Sequence, residues 1–444
     1  MLTMPPTAPG SAPTTDYLAA NYASLARRWP RVAAAVEAAI GNLPEFAWLE
    51  KPCPTLVIEG IQLTSAHDRD KEATLQATRI PAGSRSARVY GMALGDVPRL
   101  LLQRPELRDL QVVLFNPGVA ALSLYFFDHR DWLDDPRVSL VVAGPDDTLQ
   151  QPYAALPACL HLADDAASRL RDLICLDLAT PFIRKRHQPD NPHLRQRLTD
   201  NAAYVAQDPS IEALCGTFPG RTAVVAGAGP TLSDHYGWLR DSKPGPLIAV
   251  DAAVRPLLAA GIIPDVVVGI DGHADIFDLF FKDLDLTLLR RSALVYFPVV
   301  QPELLKYWPG QRHAAYSDAP IYSELAVRHP KERLFSSGSV IHPATDLATR
   351  LGVERVLFAG ADFSFPGGQS HVAGCSQARP AQGSHWVLNG HGERLPTLPN
   401  LRAYLRDLEE FIAGKTGIQF RNAGSRGAAI RHAPLLEDPP WTEI

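Results

Sequence analysis

Between residues 222 and 363, short apolar runs alternate with stretches of helical periodicity. The runs are typical of parallel strands covered by helices on both faces, so the alternation predicts a doubly wound α/β sheet. Most runs end in glycine, aspartate or serine. Because the carboxyl ends of parallel strands meet at the edge where such sheets bind ligands, we expect a site there. Six strands are predicted, at 222–230, 246–251, 263–272, 293–300, 333–340 and 353–363.

A second α/β pattern precedes this one, with predicted strands at 86–95, 110–116 and 138–144. It contains no complete G-x-G-x-x-G motif, so a structural turn is favoured there over a binding crevice. The other predicted elements are an amphipathic helix at 16–40, a strand at 55–64, a hairpin at 385–397, a helix at 401–414 and a short strand within 417–430.

These patterns predict an α/β protein of two Rossmann-like doubly wound units, with an N-terminal helix and a C-terminal hairpin–helix extension. Residues 1–15 are rich in proline, alanine, threonine and serine and are expected to be disordered. The predicted regions are a disordered tail and helix (1–45), an N-terminal α/β domain (46–200), a central α/β domain (201–385) and a C-terminal extension that packs on it (386–444).

Charge and cysteine content exclude several classes of protein. With 43 Lys and Arg against 48 Asp and Glu, the net charge is −5, which excludes a broadly basic nucleic-acid coat. The five cysteines form no CxxC pair, so neither a disulfide framework nor a zinc module is indicated. The first residues do not resemble a secretory signal, and no run of about 18 apolar residues exists. We therefore expect a soluble, cytoplasmic protein, with the basic stretch 184–187 as a solvated helix face.

The first strand of the main pattern runs into the turn Gly227-Ala228-Gly229-Pro230-Thr231. Glycines permit a tight turn and close approach of a ligand, and a helix start favours phosphate or carboxylate. Asp251 ends the next strand, where a carboxylate can hold a ribose hydroxyl. Leu232 occupies the third small position, so the dinucleotide fingerprint is incomplete. Nucleotide binding is favoured over a purely structural turn.

Two further groups follow strand ends. Asp271 and Asp275 flank His273, and this pattern suits Mg²⁺ or Mn²⁺. Alternatively, Asp271 binds a ligand hydroxyl, and Asp275 caps a helix or faces water. Asp265 is interpreted as a turn residue. In the run 336–339, the hydroxyls of Ser337 and Ser339 and the freedom of Gly338 suit an anion, although one serine is explained by helix capping alone.

Asp362 ends the last strand of the main pattern and opens a glycine-containing loop that carries His371. A histidine beside a nucleotide site is a candidate general base, because its pKa lies near neutral pH. The alternative is a histidine with no catalytic part.

Several separate blocks together resemble a known family: VVAGAGPTL, IAVDAAVRPLLAAGIIPDVVVGIDG, SSGSVIHPATDLATRLGVERVLFAGADFSFPGGQSHVAG and the tail LPTLPNLRAYLRDLEEFIAGKTGIQFRNAGSRGAAI. They resemble the motility-associated factor family of bacterial flagellin glycosyltransferases, whose core is shared with archaeal hydroxymethylpterin pyrophosphokinases. The resemblance covers about residues 205–432 and reaches the N-terminal α/β unit only loosely.

The resemblance implies transfer of a nonulosonic acid, pseudaminic or legionaminic, from its CMP-activated form to Ser or Thr of flagellin, in support of flagellar assembly and motility. It implies an inverting, metal-independent reaction without a tightly bound cofactor, in a central domain similar to bacterial sialyltransferases. By that analogy the CMP moiety faces Gly227, Gly229, Pro230 and Asp251. The Ser337–Gly338 turn faces the sugar carboxylate or phosphate.

The same resemblance places His371 as the general base, with Asp271 as a second catalytic residue. Thr231, Ser339 and Asp362 complete the expected donor site. Two departures from the family pattern stand out: Gly-Pro-Thr replaces Gly-Pro-Ser at 229–231, and Arg426-Gly427-Ala428 replaces Gly-Gly-Ala. The second departure puts any role for that loop in doubt.

Two alternatives to the glycosyltransferase function remain. One is a pterin pyrophosphokinase that uses ATP and Mg²⁺, with Asp251, Asp271 and Asp275 near the metal. The other is a non-catalytic flagellin-binding factor. The expected partners are flagellin and a nucleotide sugar, with no nucleic acid and no membrane span. The sequence leaves the oligomeric state open.

Overall fold

The computed structural model describes residues 17–50, 52–186, 191–242, 244–273, 275–383 and 385–436. The chain forms two compact units, Met1–Leu178 and Ala179–Ile444. The predicted disordered tail and the side chains of the basic stretch 184–187 lie outside the described residues. Within those residues, no helix is long and apolar enough to cross a membrane. The domain limits remain predictions, and the one at residue 200 falls inside the helix Pro192–Gln207.

The first unit contains a parallel sheet and a small antiparallel one. Its strands are β1 (Phe46–Leu49), β2 (Thr55–Ile58), β3 (Ile61–Gln62), β4 (Ser86–Tyr90), β5 (Asp109–Leu114), β6 (Val138–Val142) and β7 (Tyr153–Ala155). The parallel sheet has the order β6-β5-β4-β7, and β1 to β3 form the antiparallel one. The strand predicted at 55–64 is in fact two strands, because Glu59 and Gly60 turn the chain with positive φ. Strand β7 was not predicted.

The helices of this part are α1 (Leu18–Arg28), α2 (Pro30–Ala39), α3 (Arg69–Ala77), α4 (Asp96–Leu102), α5 (Pro117–Phe126), α6 (Arg130–Leu133), α7 (Pro157–His161) and α8 (Ser168–Arg186). The single helix predicted over 16–40 is wrong. Trp29 leaves helical geometry, and Pro30 starts α2 because it has no N–H to continue α1.

The second unit is built on a seven-stranded sheet. The strands of this unit are β8 (Thr222–Ala226), β9 (Leu247–Val250), β10 (Val266–Gly269), β11 (Ala293–Tyr296), β12 (Arg312–Ala314), β13 (Arg355–Ala359), β14 (His385–Leu388), β15 (Arg394–Thr397) and β16 (Gln419–Asn422). The seven strands of the large sheet are all parallel, in the order β12-β11-β10-β9-β8-β13-β16. Strands β14 and β15 form the predicted hairpin. Every residue of β8, β9 and β10 is buried, as the apolar runs require.

The helices of this unit are α9 (Pro192–Gln207), α10 (Tyr236–Asp241), α11 (Asp251–Ala259), α12 (Ile276–Phe280), α13 (Pro302–Tyr307), α14 (Ser323–Arg328), α15 (Ile341–Arg350) and α16 (Pro399–Ala413). The strand predicted at 333–340 is wrong. Only an isolated bridge forms at Arg333, and the Phe335 N–H bonds to the Asp346 side chain instead of a neighbouring strand. Strand β12 was not predicted.

The predicted α/β class with parallel, helix-covered sheets is therefore confirmed. In the larger sheet the chain moves from β8 outward to β12 on one side, then crosses to β13 and β16 on the other. The strand order reverses between β8 and β13. In doubly wound sheets such a reversal opens the crevice where ligands bind.

Candidate functional site

The loops that follow β8 and β13 pack directly against each other at this reversal. The Gly227 N–H donates to the Ala359 carbonyl at 2.8 Å, and the Gly229 N–H donates to the Gly360 carbonyl at 2.8 Å. A Cβ on Gly227 would lie 2.4 Å from the Gly360 oxygen. Glycine is therefore needed at Gly227 for backbone packing, in addition to any approach of a ligand. Pro230 then begins a short 3-10 helix, Pro230–His235, that leads into α10.

Asp362 lies at the centre of this packing. Its carboxylate accepts a bond from the Thr231 N–H at 2.8 Å and a second from the Thr231 hydroxyl. Added Cβ atoms on Gly229 and Gly427 would each lie 2.4 Å from a carboxylate oxygen. Burial raises the pKa of Asp362 to about 6, although the Thr231 bonds act to lower it. Both Thr231 donors and the Gly229 N–H are thus used inside the protein, and the proline has none to offer.

Asp251 differs, because half of its carboxylate has no partner. It is the first residue of α11, and its Oδ1 accepts a bond from the Ala252 N–H at 2.8 Å. Oδ2 is buried with no hydrogen-bond partner among the described residues, and Asp251 is 2% exposed. Burial raises the pKa of Asp251 to about 7, the Ala252 bond lowers it, and the charge of Asp271 raises it. A buried polar atom of this kind is costly unless a ligand or water satisfies it.

The predicted acidic group after β10 is open to solvent. Asp271 and Asp275 are both exposed, and Asp271 Oδ1 accepts a bond from the His273 N–H at 2.9 Å. Within the described ranges, no three or more His, Cys, Asp and Glu side chains gather to form a metal site. The Asp265 side chain accepts a bond from the Leu247 N–H at 2.8 Å, so this carboxylate is used inside the fold at the start of β10.

The loop that carries His371 crosses the glycine turn. The Val372 N–H donates to the Ala228 carbonyl at 2.9 Å, so His371 lies one residue from the turn. Burial, followed by the charge of Arg379, lowers the pKa of His371. The imidazole is therefore neutral at pH 7, as a general base must be.

The bonds of His371 also assign its tautomer. Its Nδ1 lies 3.1 Å from the Ser370 hydroxyl, which donates its own hydrogen to the Gln377 carbonyl at 3.1 Å. This arrangement favours the tautomer in which the hydroxyl accepts from the imidazole and Nδ1 carries the proton. Nε2 is left with its lone pair, which makes it the atom able to accept a proton from a substrate.

The serine turn is held by α15 and α16. The Ser337 hydroxyl donates to Asp407 at 2.5 Å, and a Cβ on Gly338, whose φ is 87°, would lie 2.5 Å from the Tyr404 ring. The Ser339 hydroxyl lies 3.5 Å from the first N–H of α15. These contacts account for the residues as an anchored turn. Their part in ligand binding stays a prediction.

Four features near the glycine turn were not predicted from the sequence. Gly427 packs on Asp362, and Arg426 forms an exposed, bidentate ion pair with Asp234. The Tyr236 hydroxyl is buried and has no partner in the described part of the chain, and burial raises its pKa to about 12. Cys375 lies within electrostatic range of both Tyr236 and Asp251. The Gly-Gly-Ala comparison was a signal for Gly427, but nothing in the sequence singles out Tyr236.

Fold and site together define a doubly wound α/β protein whose polar residues collect where the strand order reverses. Residues 196–368, less than half of the chain, match the model of the family described as "MptE-like: 6-hydroxymethylpterin diphosphokinase MptE-like". This match confirms the core to which the sequence was predicted to be similar. It spans the glycine turn, Asp251 and Asp362, and it ends before His371.

One solved structure, of MAf glycosyltransferase from Magnetospirillum magneticum AMB-1, is similar to the chain with a TM-score of 0.44. The two sequences are 16% identical, over 95% of this chain and 74% of that one. No curated protein sequence matches the chain.

Proposed function

We propose that the protein is a glycosyltransferase that moves a nonulosonic acid from its CMP-activated form to Ser or Thr of flagellin. The observation that carries the nucleotide part is the buried, unpartnered Oδ2 of Asp251 at the carboxyl end of β9. A ribose hydroxyl that donates to this atom would satisfy it. The donor class and flagellin itself come from the sequence resemblance, whose blocks extend through His371 and the tail.

In the proposed reaction, the acceptor hydroxyl attacks the anomeric carbon while His371 Nε2 takes its proton. The bond from that carbon to the CMP phosphate breaks, and CMP leaves with the electron pair. The Asp251 carboxyl holds the nucleotide through its ribose. Thr231 and Asp362 act as positioning residues, since they hold the glycine turn against the loop that follows β13.

The Asp251 assignment is tested by thermal stabilisation, because a ligand that binds the native state raises the unfolding midpoint. CMP is expected to raise it in the wild type without Mg²⁺, and Asp251→Ala is expected to remove most of the shift. Glu212→Ala, an exposed acidic residue of the same unit, serves as the control. An equal CMP shift in the wild type and Asp251→Ala contradicts the assignment.

A second function, diphosphate transfer to a hydroxymethylpterin, is favoured by the description of the matching family. ATP would then take the place of CMP, with Mg²⁺ held by the acidic residues that follow β9 and β10. The same experiment separates the two, because this reaction requires a larger shift with ATP and Mg²⁺ than with CMP. A non-catalytic flagellin-binding factor would show no shift with either nucleotide.

A further inference from the structure

A groove of about 450 Å³ lies in the second unit beside α12. Its lining includes the aromatic residues Phe277 and Tyr307, the aliphatic residues Leu284 and Leu286, and the acidic residues Asp283 and Asp285. Its volume is within the range of sites that take a ligand or a peptide side chain. Neither the proposed donor site nor the proposed chemistry uses these residues.

The aromatic wall of the groove is only partly covered. The rings of Phe277 and Tyr307 lie 5.9 Å apart at 33°, and Tyr307 is 52% exposed. Phe277 also stacks on Phe281, which is buried in the core. Lys306 Nζ lies 5.0 Å from the centroid of the Tyr307 ring, so the wall is anchored from behind and only partly open in front. A partly exposed apolar wall of this kind is typical of a surface that contacts another molecule.

The rim of the groove carries a carboxylate without a partner. Among the described residues, Asp283 forms neither an ion pair nor a hydrogen bond, whereas Asp285 caps the short helix Leu286–Leu289 through Thr287. The nearest lysine of the lining, Lys282, is paired with Asp278 at 3.6 Å. The groove therefore offers one unused negative charge beside an aromatic wall, a combination that suits a cationic side chain with an apolar stem.

The groove also borders the candidate site. Helix α12 follows directly on the Asp271 loop at the carboxyl end of β10. The Leu279 carbonyl on this helix accepts a bond from the Ser376 hydroxyl at 2.5 Å, and Ser376 belongs to the same loop as His371. Phe277 contributes both a ring to the groove and a backbone N–H that donates to Gln301 after β11. A chain segment seated in the groove would lie next to the loop that carries the proposed base.

We propose that this groove docks the polypeptide that accepts the sugar. That this polypeptide is the acceptor rests on the proposed function. The segment binds in extended form, with an aliphatic or aromatic side chain against Tyr307 and a lysine or arginine beside Asp283. The aliphatic lining, Leu284 and Leu286, favours peptide side chains over an oligosaccharide, whose hydroxyls need polar partners at each edge.

The test is fluorescence anisotropy of a labelled nonapeptide that carries two leucines, one phenylalanine and one lysine among serines. Tyr307→Ser is expected to weaken binding about tenfold through the lost apolar contact. Asp283→Asn keeps a residue that tolerates the φ of 63° at this position, and it is expected to weaken binding about threefold to fivefold and to remove its salt dependence. Val327→Ser removes an exposed apolar side chain outside the groove, 82% exposed on α14, and is the control.

A peptide in which glutamate replaces the lysine is expected to bind at least threefold more weakly. Binding that is unchanged in Tyr307→Ser, or equal for the lysine and glutamate peptides, overturns the proposal. Displacement by a neutral oligosaccharide in place of unlabelled peptide also overturns it.

The shift in unfolding midpoint with CMP, measured on the same samples, distinguishes failure of the groove proposal from failure of the proposed function. A normal CMP shift without peptide binding rejects the groove and leaves the proposed function standing. Peptide binding that both groove variants weaken, without any CMP shift, supports a polypeptide-docking groove and rejects the transferase.

Discussion

Thr231 donates both its backbone N–H and its hydroxyl to the carboxylate of Asp362, a residue 131 positions further along the chain. This contact joins the loop after β8 to the loop after β13 at the point where the strand order of the larger sheet reverses. Glycines on both sides leave no room for a side chain next to that carboxylate. The candidate site is therefore built on a buried, fully hydrogen-bonded acidic residue.

Loss of the Thr231 hydroxyl should destabilise the second unit. Thr231→Val keeps the shape of the side chain but leaves one carboxylate oxygen of Asp362 short of a donor, so we expect a loss of about 1–3 kcal/mol in the free energy of unfolding. Thr231→Ser retains the hydroxyl and should lose less than about 1 kcal/mol. Urea denaturation of the two variants measures the difference. Equal losses would show that the hydroxyl contributes nothing.

Gly427 and Arg426 are expected to differ sharply although they are neighbours. A Cβ at Gly427 would lie 2.4 Å from Asp362 Oδ1, so Gly427→Ala forces a buried carboxylate to move and should cost more than about 2 kcal/mol. The ion pair of Arg426 with Asp234 is exposed, and Arg426→Ala should cost less than about 1 kcal/mol. Denaturation midpoints in the same buffer check this order, and its reversal would contradict the packing.

Asp251 makes the protein less stable as the pH rises. Its pKa in the folded state, about 7, lies above the ordinary aspartate value of 3.8, so the folded state binds the proton more tightly. Stability is then lost as the pH rises from about 4 to about 7. Asp251→Asn removes this loss and should raise the unfolding midpoint relative to wild type at pH 8 but much less at pH 5. Asp362 is present in both proteins and cancels in the comparison.

Scanning calorimetry at the two pH values gives this result directly. A midpoint difference that does not depend on pH would contradict the raised pKa. The same variant should lose CMP stabilisation, since an amide nitrogen replaces the acceptor oxygen proposed to bind ribose.

Much of this fold follows from local sequence. Buried parallel strands such as β8 and β10 are nearly continuous runs of β-branched residues and alanine, so they stand out without knowledge of their neighbours. Strand β12 is only three residues long and begins with a charged arginine, so no local pattern marks it. The run 333–340 has strand-like composition, yet the Asp346 side chain takes the Phe335 N–H that a strand would share.

The sequence predicts which residues lie at the candidate site, but not which hydrogen bonds they form. Glycine and aspartate at strand ends indicate which edge of the sheet carries polar groups. They do not show that Asp362 is fully used by Thr231 while Asp251 keeps a free oxygen, because that depends on the order of the strands and on the C-terminal loop. The unpartnered hydroxyl of Tyr236 is likewise a product of tertiary packing.

His371 should set the acid limb of the pH–rate profile. Because burial lowers its pKa below 6.5, the transfer rate should be constant between pH 7 and 8 and fall only in more acid solution. His371→Ala should reduce the rate by about 10²–10⁴, whereas His391→Ala, exposed in the hairpin turn, should leave it unchanged. Ser370→Ala removes the acceptor that fixes the Nδ1–H tautomer and should lower the rate several-fold. A profile that does not change with His371 would remove its assigned role.

Sugar transfer is measured by intact-mass spectrometry of unmodified flagellin after incubation with the protein and CMP-pseudaminic acid or CMP-legionaminic acid. We expect the flagellin mass to increase by whole nonulosonic acid units with one of the two donors, and CMP to be released. His371→Ala should show neither change. Unchanged flagellin with both donors, under conditions where CMP stabilises the protein, would contradict the proposed transfer.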